Sequence, residues 1–180
     1  IIKNMEVTRT SPVYKYIHVM NTHNPMVVMP DCQFAGGAMA TSRPTLLAQS
    51  FCTTVTVIAI FDVMKSLGIY DNAMIIIHAD HGGWVNLKNR KEQMAGSNSK
   101  IHPWTKSLAT PLVLIKPPKA KGELKVSPAL VSLADLPDTI SDIMEWDVSF
   151  EHQSILDIDS EAPRQRSFYF YEWQKDAWTA

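Results

Sequence analysis

The sequence has little charge and no excess of either sign. Its 180 residues include 17 Lys and Arg against 18 Asp and Glu, so the net charge is -1. Charged residues make up 19% of the chain, below the ~25% that is typical of globular domains, while 46% are hydrophobic. The balanced charge argues against a nucleic-acid-binding domain that works through bulk positive charge, and the hydrophobic content argues against a disordered chain. We therefore expect a globular domain, or part of one, with no nucleic-acid partner.

Long apolar runs are also absent. Residues 55–61 and 73–77 are among the longest runs, and both fall short of the ~20 residues that a membrane span needs. The chain begins with Ile1 and carries no signal peptide. We expect the natural start of the protein to lie upstream of this residue.

Cysteine is scarce, with only Cys32 and Cys52 present. Their separation is too wide for a metal-binding knuckle, which needs closely spaced pairs. Two interpretations stay open at this point. The cysteines are either two buried free thiols or one disulfide formed in an oxidising compartment.

Hydrophobic patterning predicts strands that alternate with helices. A helix is expected from Pro44 to Gly68, with Ser42 or Arg43 near its cap. Its apolar residues recur every three or four positions and form one face: Leu47, Phe51, Val55, Ile58, Phe61 and Met64. Strands are expected at 14–20, 73–79, 111–115 and 168–171, and further helical segments from Ser127 and over 139–146. This alternation predicts an α/β fold with a mainly parallel sheet.

The most distinctive motif is Asp80-His81-Gly82-Gly83, directly after the strand expected at 73–79. In open α/β sheets, ligands bind beyond the carboxyl ends of strands. A carboxylate oxygen beside an imidazole nitrogen suits zinc or manganese, whereas calcium prefers oxygen ligands alone. The two glycines permit the sharp turn that would let both side chains reach one ion. The alternative is that Asp80 and His81 only cap the following loop.

Several segments, taken in order, resemble one family. They are Tyr16-Ile17-His18 with Thr22-His23-Asn24-Pro25, the stretch from Phe61 to Asn72, Ile75 to Gly82, Pro111 to Ile115, and Leu133 to Ile140. The chain resembles the C-terminal half of a sulfatase/alkaline phosphatase superfamily domain over about residues 14–145. It is most similar to the membrane-anchored bacterial "sulfatase" members, which include phosphoethanolamine and phosphoglycerol transferases.

This resemblance implies a fold and a set of site residues. The fold would be a three-layer alkaline-phosphatase-like sandwich with a mainly parallel sheet, of which residues 1–180 form the C-terminal part. Asp80 and His81 would be metal ligands, with zinc the expected ion and manganese or calcium the alternatives. His23 would contact the phosphate or sulfate group, and His102 would be a further catalytic histidine. As a bare residue, His23 would be interpreted as a solvated loop histidine.

The resemblance also implies an activity and a location. The intact protein would be a metal-dependent hydrolase or transferase that acts on phosphate or sulfate esters of envelope lipids or glycans. A covalent intermediate would form on a nucleophile outside this chain, so the chain alone is expected to be inactive. N-terminal helices outside it would anchor the protein in the inner membrane, with this domain periplasmic or extracellular. Two alternatives are a catalytically inactive, sulfatase-like binding or regulatory domain of the envelope and an unrelated α/β domain with a chance Asp-His-Gly.

Overall fold

The structure, a computed structural model, describes residues 5–8, 11–83, 105–165, 172–174 and 177–179. The chain divides into two units, Ile1–Ala73 and Met74–Ala180, which are treated separately below. The first unit contains β1 (Met26–Val28), β2 (Phe34–Met39) and α1 (Arg43–Ser66). The second contains β3 (Ile75–His78), α2 (Thr105–Leu108), β4 (Val113–Lys116), α3 (Leu136–Ile143), β5 (Glu172–Gln174) and β6 (Ala177–Thr179), with short 3-10 turns at Leu133–Asp135 and Ile155–Asp157.

Helix α1 begins and ends where the sequence predicts. Ser42 is the N-cap: its side chain accepts from the backbone N–H of Thr45, and the Thr45 hydroxyl accepts from the backbone N–H of Ser42. Pro44 occupies the first turn, where its missing N–H costs nothing. Gly68 follows the helix with a φ of 69°, a left-handed conformation that glycine adopts without steric penalty.

The buried side of α1 is not the apolar face. The buried residues of the helix are Ala48, Gln49 and Cys52, whereas Leu47, Phe51, Val55 and Ile58 are exposed. Met26 of β1 is the most deeply buried apolar side chain of the described residues in this unit. Among the residues that the structure describes, α1 is the one helix long and apolar enough to cross a membrane by length and composition. Core helices of soluble proteins and signal sequences pass the same test.

The strand predicted at 14–20 does not form. These residues adopt no regular structure, and Tyr14 and Tyr16 are exposed. The β propensity of aromatic and β-branched residues reflects side-chain packing against neighbouring strands and burial, and residues 14–20 are mostly exposed. In this unit the paired strands are β1 and β2, which form an antiparallel hairpin with a register shift between Met26 and Val28.

In the second unit, the predicted strands at 73–79 and 111–115 are confirmed as β3 and β4. The two pair antiparallel, from Ile75 opposite Lys116 to His78 opposite Val113. β5 and β6 form a further antiparallel pair. The three sheets seen in the described residues are thus two-stranded and antiparallel. The mainly parallel sheet and the three-layer sandwich stay predictions, and the strand expected at 168–171 lies largely outside the described residues.

Of the two further helical segments predicted, the one over 139–146 is confirmed as α3, which begins three residues earlier, at Leu136. No helix opens at Ser127, so that prediction is wrong; a 3-10 turn capped by Ser132 precedes α3 instead. Pro137 lies in the first turn of α3, because an interior proline would remove a helix hydrogen bond. Thr139 then links α3 to the next segment: its hydroxyl donates to the Asp135 carbonyl at 2.6 Å and accepts from Ile155 N–H at 2.8 Å.

Candidate functional site

The turn that carries Asp80 and His81 follows β3 directly and is fixed at both ends. Ala79 N–H donates to Leu112 O at 3.0 Å, and Gly82 N–H donates to Leu108 O at 2.8 Å. A Cβ at position 82 would lie 1.8 Å from the Ser107 carbonyl oxygen, so only glycine fits there. Leu108 is itself buried at the end of α2. The backbone of the motif is therefore held against α2 and the start of β4.

The side chains of Asp80 and His81 lie close to each other. Asp80 Oδ1 accepts from His81 N–H at 3.0 Å, and Asp80 Oδ2 lies 3.8 Å from His81 Nε2. His81 Nδ1 lies 2.6 Å from the Gly82 carbonyl oxygen. A carbonyl oxygen can only accept, so this contact is a hydrogen bond in the tautomer that carries the proton on Nδ1 and keeps the lone pair on Nε2. In metal sites a carbonyl oxygen on the far ring nitrogen commonly orients a histidine ligand in this way, and the same local contact occurs here at His23 and His78.

These two donors fit a metal ion in both spacing and chemistry. Zinc binds imidazole nitrogen and carboxylate oxygen at ~2.0–2.2 Å, which places neighbouring ligands of a tetrahedral ion about 3.4 Å apart. The observed 3.8 Å is close to this spacing. Both side chains are open to an ion, with 46% of His81 and 88% of Asp80 exposed. Within the described part of the chain, no group of three or more His, Cys, Asp or Glu could hold a metal. A metal site at Asp80 and His81 would therefore need further ligands from outside the described residues.

His23 lies in the first unit, on the loop that precedes β1. The backbone N–H of His23 donates to the Met20 carbonyl oxygen at 2.9 Å, and the imidazole Nδ1 lies 2.6 Å from the Asn24 carbonyl oxygen. The same argument as for His81 puts the proton on Nδ1 and directs Nε2 away from the backbone contact. Thr41 holds the loop from the other side, because its hydroxyl donates to Asn24 Oδ1 at 2.9 Å. The imidazole is exposed on this anchored loop.

The four predicted site residues therefore have different outcomes. Asp80 and His81 are adjacent in the second unit, and His23 belongs to the first. His102 lies outside the described residues. The roles of all four stay predictions.

Sequence reasoning missed a buried ion pair in the second unit. Asp135 has no exposed side-chain surface, and its two carboxylate oxygens each receive a 2.6 Å hydrogen bond from Arg164. Ser132 N–H donates to the same carboxylate at 2.7 Å, and His152 Nδ1 lies 3.9 Å from it. Arg164 Nη1 also donates to Leu130 O at 3.0 Å.

This environment shifts the pKa of Asp135. Burial alone would raise it, but the Arg164 hydrogen bond, the Ser132 N–H and the positive charges of Arg164 and His152 together hold the pKa of Asp135 below its ordinary value. The same hydrogen bond raises the pKa of Arg164. The Ser-x-x-Asp spacing of residues 132 and 135 was a signal for a capping box. No local pattern points to Arg164, which is 29 residues further on.

The two cysteines form a disulfide between Cys32, in the β1–β2 turn, and Cys52 of α1. Of the two interpretations left open by the sequence, the structure has the disulfide and no free cysteine among its described residues. The bond ties α1 to the hairpin at a point one helical turn beyond Gln49. It also belongs to the class of cross-link that persists in oxidising compartments.

Comparison of the chain with protein-family models, with curated proteins and with solved structures finds no match.

Proposed function

We propose that this protein is a metal-dependent hydrolase or transferase of phosphate or sulfate esters, in which Asp80 and His81 are two of the metal ligands. The observation that supports the proposal is the geometry of the turn after β3. Asp80 Oδ2 and His81 Nε2 lie 3.8 Å apart, and His81 Nδ1 contacts the Gly82 carbonyl. A loop-capping role for the two residues would require only the Asp80 contact to His81 N–H, and it would not need Asp80 Oδ2 and His81 Nε2 to lie near each other.

The ligand chemistry favours zinc or manganese over calcium, because one of the two donors is a nitrogen. When bound, such a metal neutralises charge on the ester oxygens and lowers the pKa of a coordinated nucleophile. The proposal takes that nucleophile from a part of the protein outside this chain, and the remaining ligands from outside the described residues. The 180-residue chain alone is then expected to show no turnover of 4-nitrophenyl phosphate or 4-nitrophenyl sulfate with zinc present. Turnover that Asp80→Ala abolishes would contradict this.

His23 and His102 have roles at the substrate in this proposal. With Nδ1 of His23 engaged by Asn24 O, its Nε2 is the atom left to meet a ligand. The protonated ring donates from Nε2 to an oxygen of the phosphate or sulfate group, and the neutral ring accepts a proton there. His102 would assist as the second histidine, by stabilising the transferred group or by protonating the leaving oxygen.

The proposal extends to envelope lipids or glycans as substrates. It places the domain in the periplasm or outside the cell, anchored to the inner membrane by helices outside this chain. The Cys32–Cys52 disulfide supports an oxidising location. The apolar helix α1 is not the proposed anchor, because Gln49 and Cys52 bind it to the hairpin.

A titration of the purified chain with zinc, followed by calorimetry, tests the ligand assignment. Asp80→Asn and His81→Ala should each weaken binding by roughly tenfold or more, because even changes one shell beyond the ligands weaken metal binding 10–100-fold. His78→Ala is the matched control, since His78 is exposed, ends the same strand and has its Nδ1 3.3 Å from Ala79 O. Equal losses in all three variants, or unchanged binding in the first two, would refute the metal site. The inactive-domain alternative would then be favoured.

A further inference from the structure

Gln49 is a buried polar residue on α1 for which the metal site gives no explanation. Its residue surface is 1% exposed, although a buried amide must satisfy two donors and an acceptor oxygen. Leaving one such group without a partner costs about 1–3 kcal/mol. No buried side-chain polar atom among the described residues lacks a hydrogen-bond partner, so Gln49 is fully engaged.

The two ends of the Gln49 amide bind different parts of the first unit. Oε1 accepts from Val27 N–H at 2.5 Å and from Val28 N–H at 3.1 Å, at the register shift in β1. Nε2 donates to Asn21 O at 2.5 Å and to His23 O at 3.4 Å. One end therefore ties α1 to a strand, and the other ties it to the backbone of the loop that carries His23.

We propose that Gln49 is a positioning residue for His23. It fixes the loop backbone at the carbonyls of Asn21 and His23 itself, so the imidazole projects from a held main chain. This inference rests on the proposed function in one respect, that His23 contacts the phosphate or sulfate group. A side chain that binds a small anion needs a fixed backbone, because a misplacement of about 1 Å is enough to lose most of the rate or affinity that correct orientation provides.

The amide chemistry lets the two ends be separated by one substitution. In Gln49→Glu the shape is kept, and the carboxylate still accepts from Val27 and Val28. In its ionised form it cannot donate to Asn21 O or His23 O. If Gln49 acted only as a link between α1 and β1, this change would leave the His23 loop undisturbed.

The experiment follows the backbone amide resonances and the His23 imidazole resonance by NMR, with inorganic phosphate as the probe. Gln49→Glu should move or broaden the resonances of residues 21–24 and leave those of Val27 and Val28 near their original positions. The apparent Kd for phosphate at the His23 ring should rise about tenfold, which corresponds to the loss of one oriented charge-assisted hydrogen bond. Gln33→Glu is the matched control, because it adds the same charge in the same unit at an exposed position.

Different results overturn different parts. Unchanged resonances for residues 21–24 in folded Gln49→Glu would overturn the positioning role. If those resonances change but the His23 ring of the unsubstituted chain never responds to phosphate, the positioning of the loop stands and the proposed substrate contact of His23 fails. An equal rise in Kd in Gln33→Glu would show that added charge, and not loop geometry, weakens binding, which also overturns the inference.

A second measurement needs no substitution and decides the matter if Gln49→Glu does not fold. The side-chain amide protons of Gln49 in the unsubstituted chain should exchange slowly with D2O, because both donors are buried against loop carbonyls. Exchange as fast as that of the exposed Gln33 side chain would overturn the inference.

Thr41→Val removes the hydrogen bond between the Thr41 hydroxyl and Asn24 Oδ1, and it should also weaken phosphate binding at His23.

Discussion

Arg164 and Asp135 face each other through two parallel hydrogen bonds of 2.6 Å, although 29 residues separate them in the chain. Asp135 is fully buried, whereas 25% of the Arg164 side chain is exposed. The pair joins the turn before α3 to the segment that follows Glu161. It stabilises the second unit chiefly because a buried carboxylate without its partner is costly.

Removing the arginine should therefore destabilise the second unit strongly. Arg164→Met keeps much of the side-chain volume but leaves the buried charge of Asp135 uncompensated. We expect a loss of about 3 kcal/mol in the free energy of unfolding, at the lower end of the effect of breaking buried pairs, because Arg164 is partly exposed. Urea denaturation measures it, with exposed Asp147→Asn as the control. A loss no larger than that of the control would show that the pair is dispensable.

The same pair predicts how stability depends on pH. Because the pKa of Asp135 is lower in the folded state than its ordinary value of about 3.9, the unfolded chain binds more protons between those two values. Its contribution is thus fully present above about pH 4 and is lost as the pH falls through the lowered value. In Arg164→Met, burial without the arginine should raise the pKa of Asp135. The difference in unfolding free energy between the unsubstituted chain and Arg164→Met should then shrink as the pH falls. A constant difference from pH 7 to pH 3 would contradict the lowered pKa of Asp135.

Gly82 should tolerate no side chain. In Gly82→Ala the new Cβ would meet the Ser107 carbonyl oxygen at 1.8 Å, a backbone atom that cannot rotate away. We expect a loss of about 2–3 kcal/mol from the strain, and weaker zinc binding at the proposed Asp80–His81 site because the turn is displaced. Gly37→Ala is the control, since a Cβ there meets nothing within 4 Å. Equal stability and equal zinc affinity in the two variants would contradict the close approach.

The local parts of this fold were predictable and the long-range parts were not. Ser42, Pro44 and Gly68 define α1 through backbone chemistry that acts within a few residues, so the sequence predicts its ends well. The buried side of α1 is set by hydrogen bonds from Gln49 to residues more than 20 positions away and by the disulfide at Cys52. Apolar spacing carries no information about such contacts.

The candidate site shows the same division. The Asp80-His81-Gly82 motif is local, and the turn that joins its two donors could be predicted from the glycines. The contacts that hold the turn come from Leu108 and Leu112, beyond residues 84–104, and could not be predicted. The strand expected at 14–20 does not form for a related reason: its residues have the composition of a strand, but no strand among the described residues pairs with them.

Breaking the disulfide between Cys32 and Cys52 should loosen the first unit. The bond closes a loop across a sequence separation of 20, and a cross-link of that length stabilises by about 3 kcal/mol in the chain-entropy description. Reduction, or the pair Cys32→Ser with Cys52→Ala, should lower the thermal midpoint by about 6–12 °C in a chain of this size. The double variant serves as the control for the reductant, because its own midpoint should not respond to it.

Alkylation of the folded, non-reduced chain checks the bond itself. Neither cysteine should be labelled until a reductant is added, because both sulfurs are in the disulfide. Labelling of both cysteines without reductant would contradict the disulfide. It would also withdraw the main structural support for placing this domain in an oxidising compartment, and the proposed envelope location would then rest on the resemblance of the sequence alone.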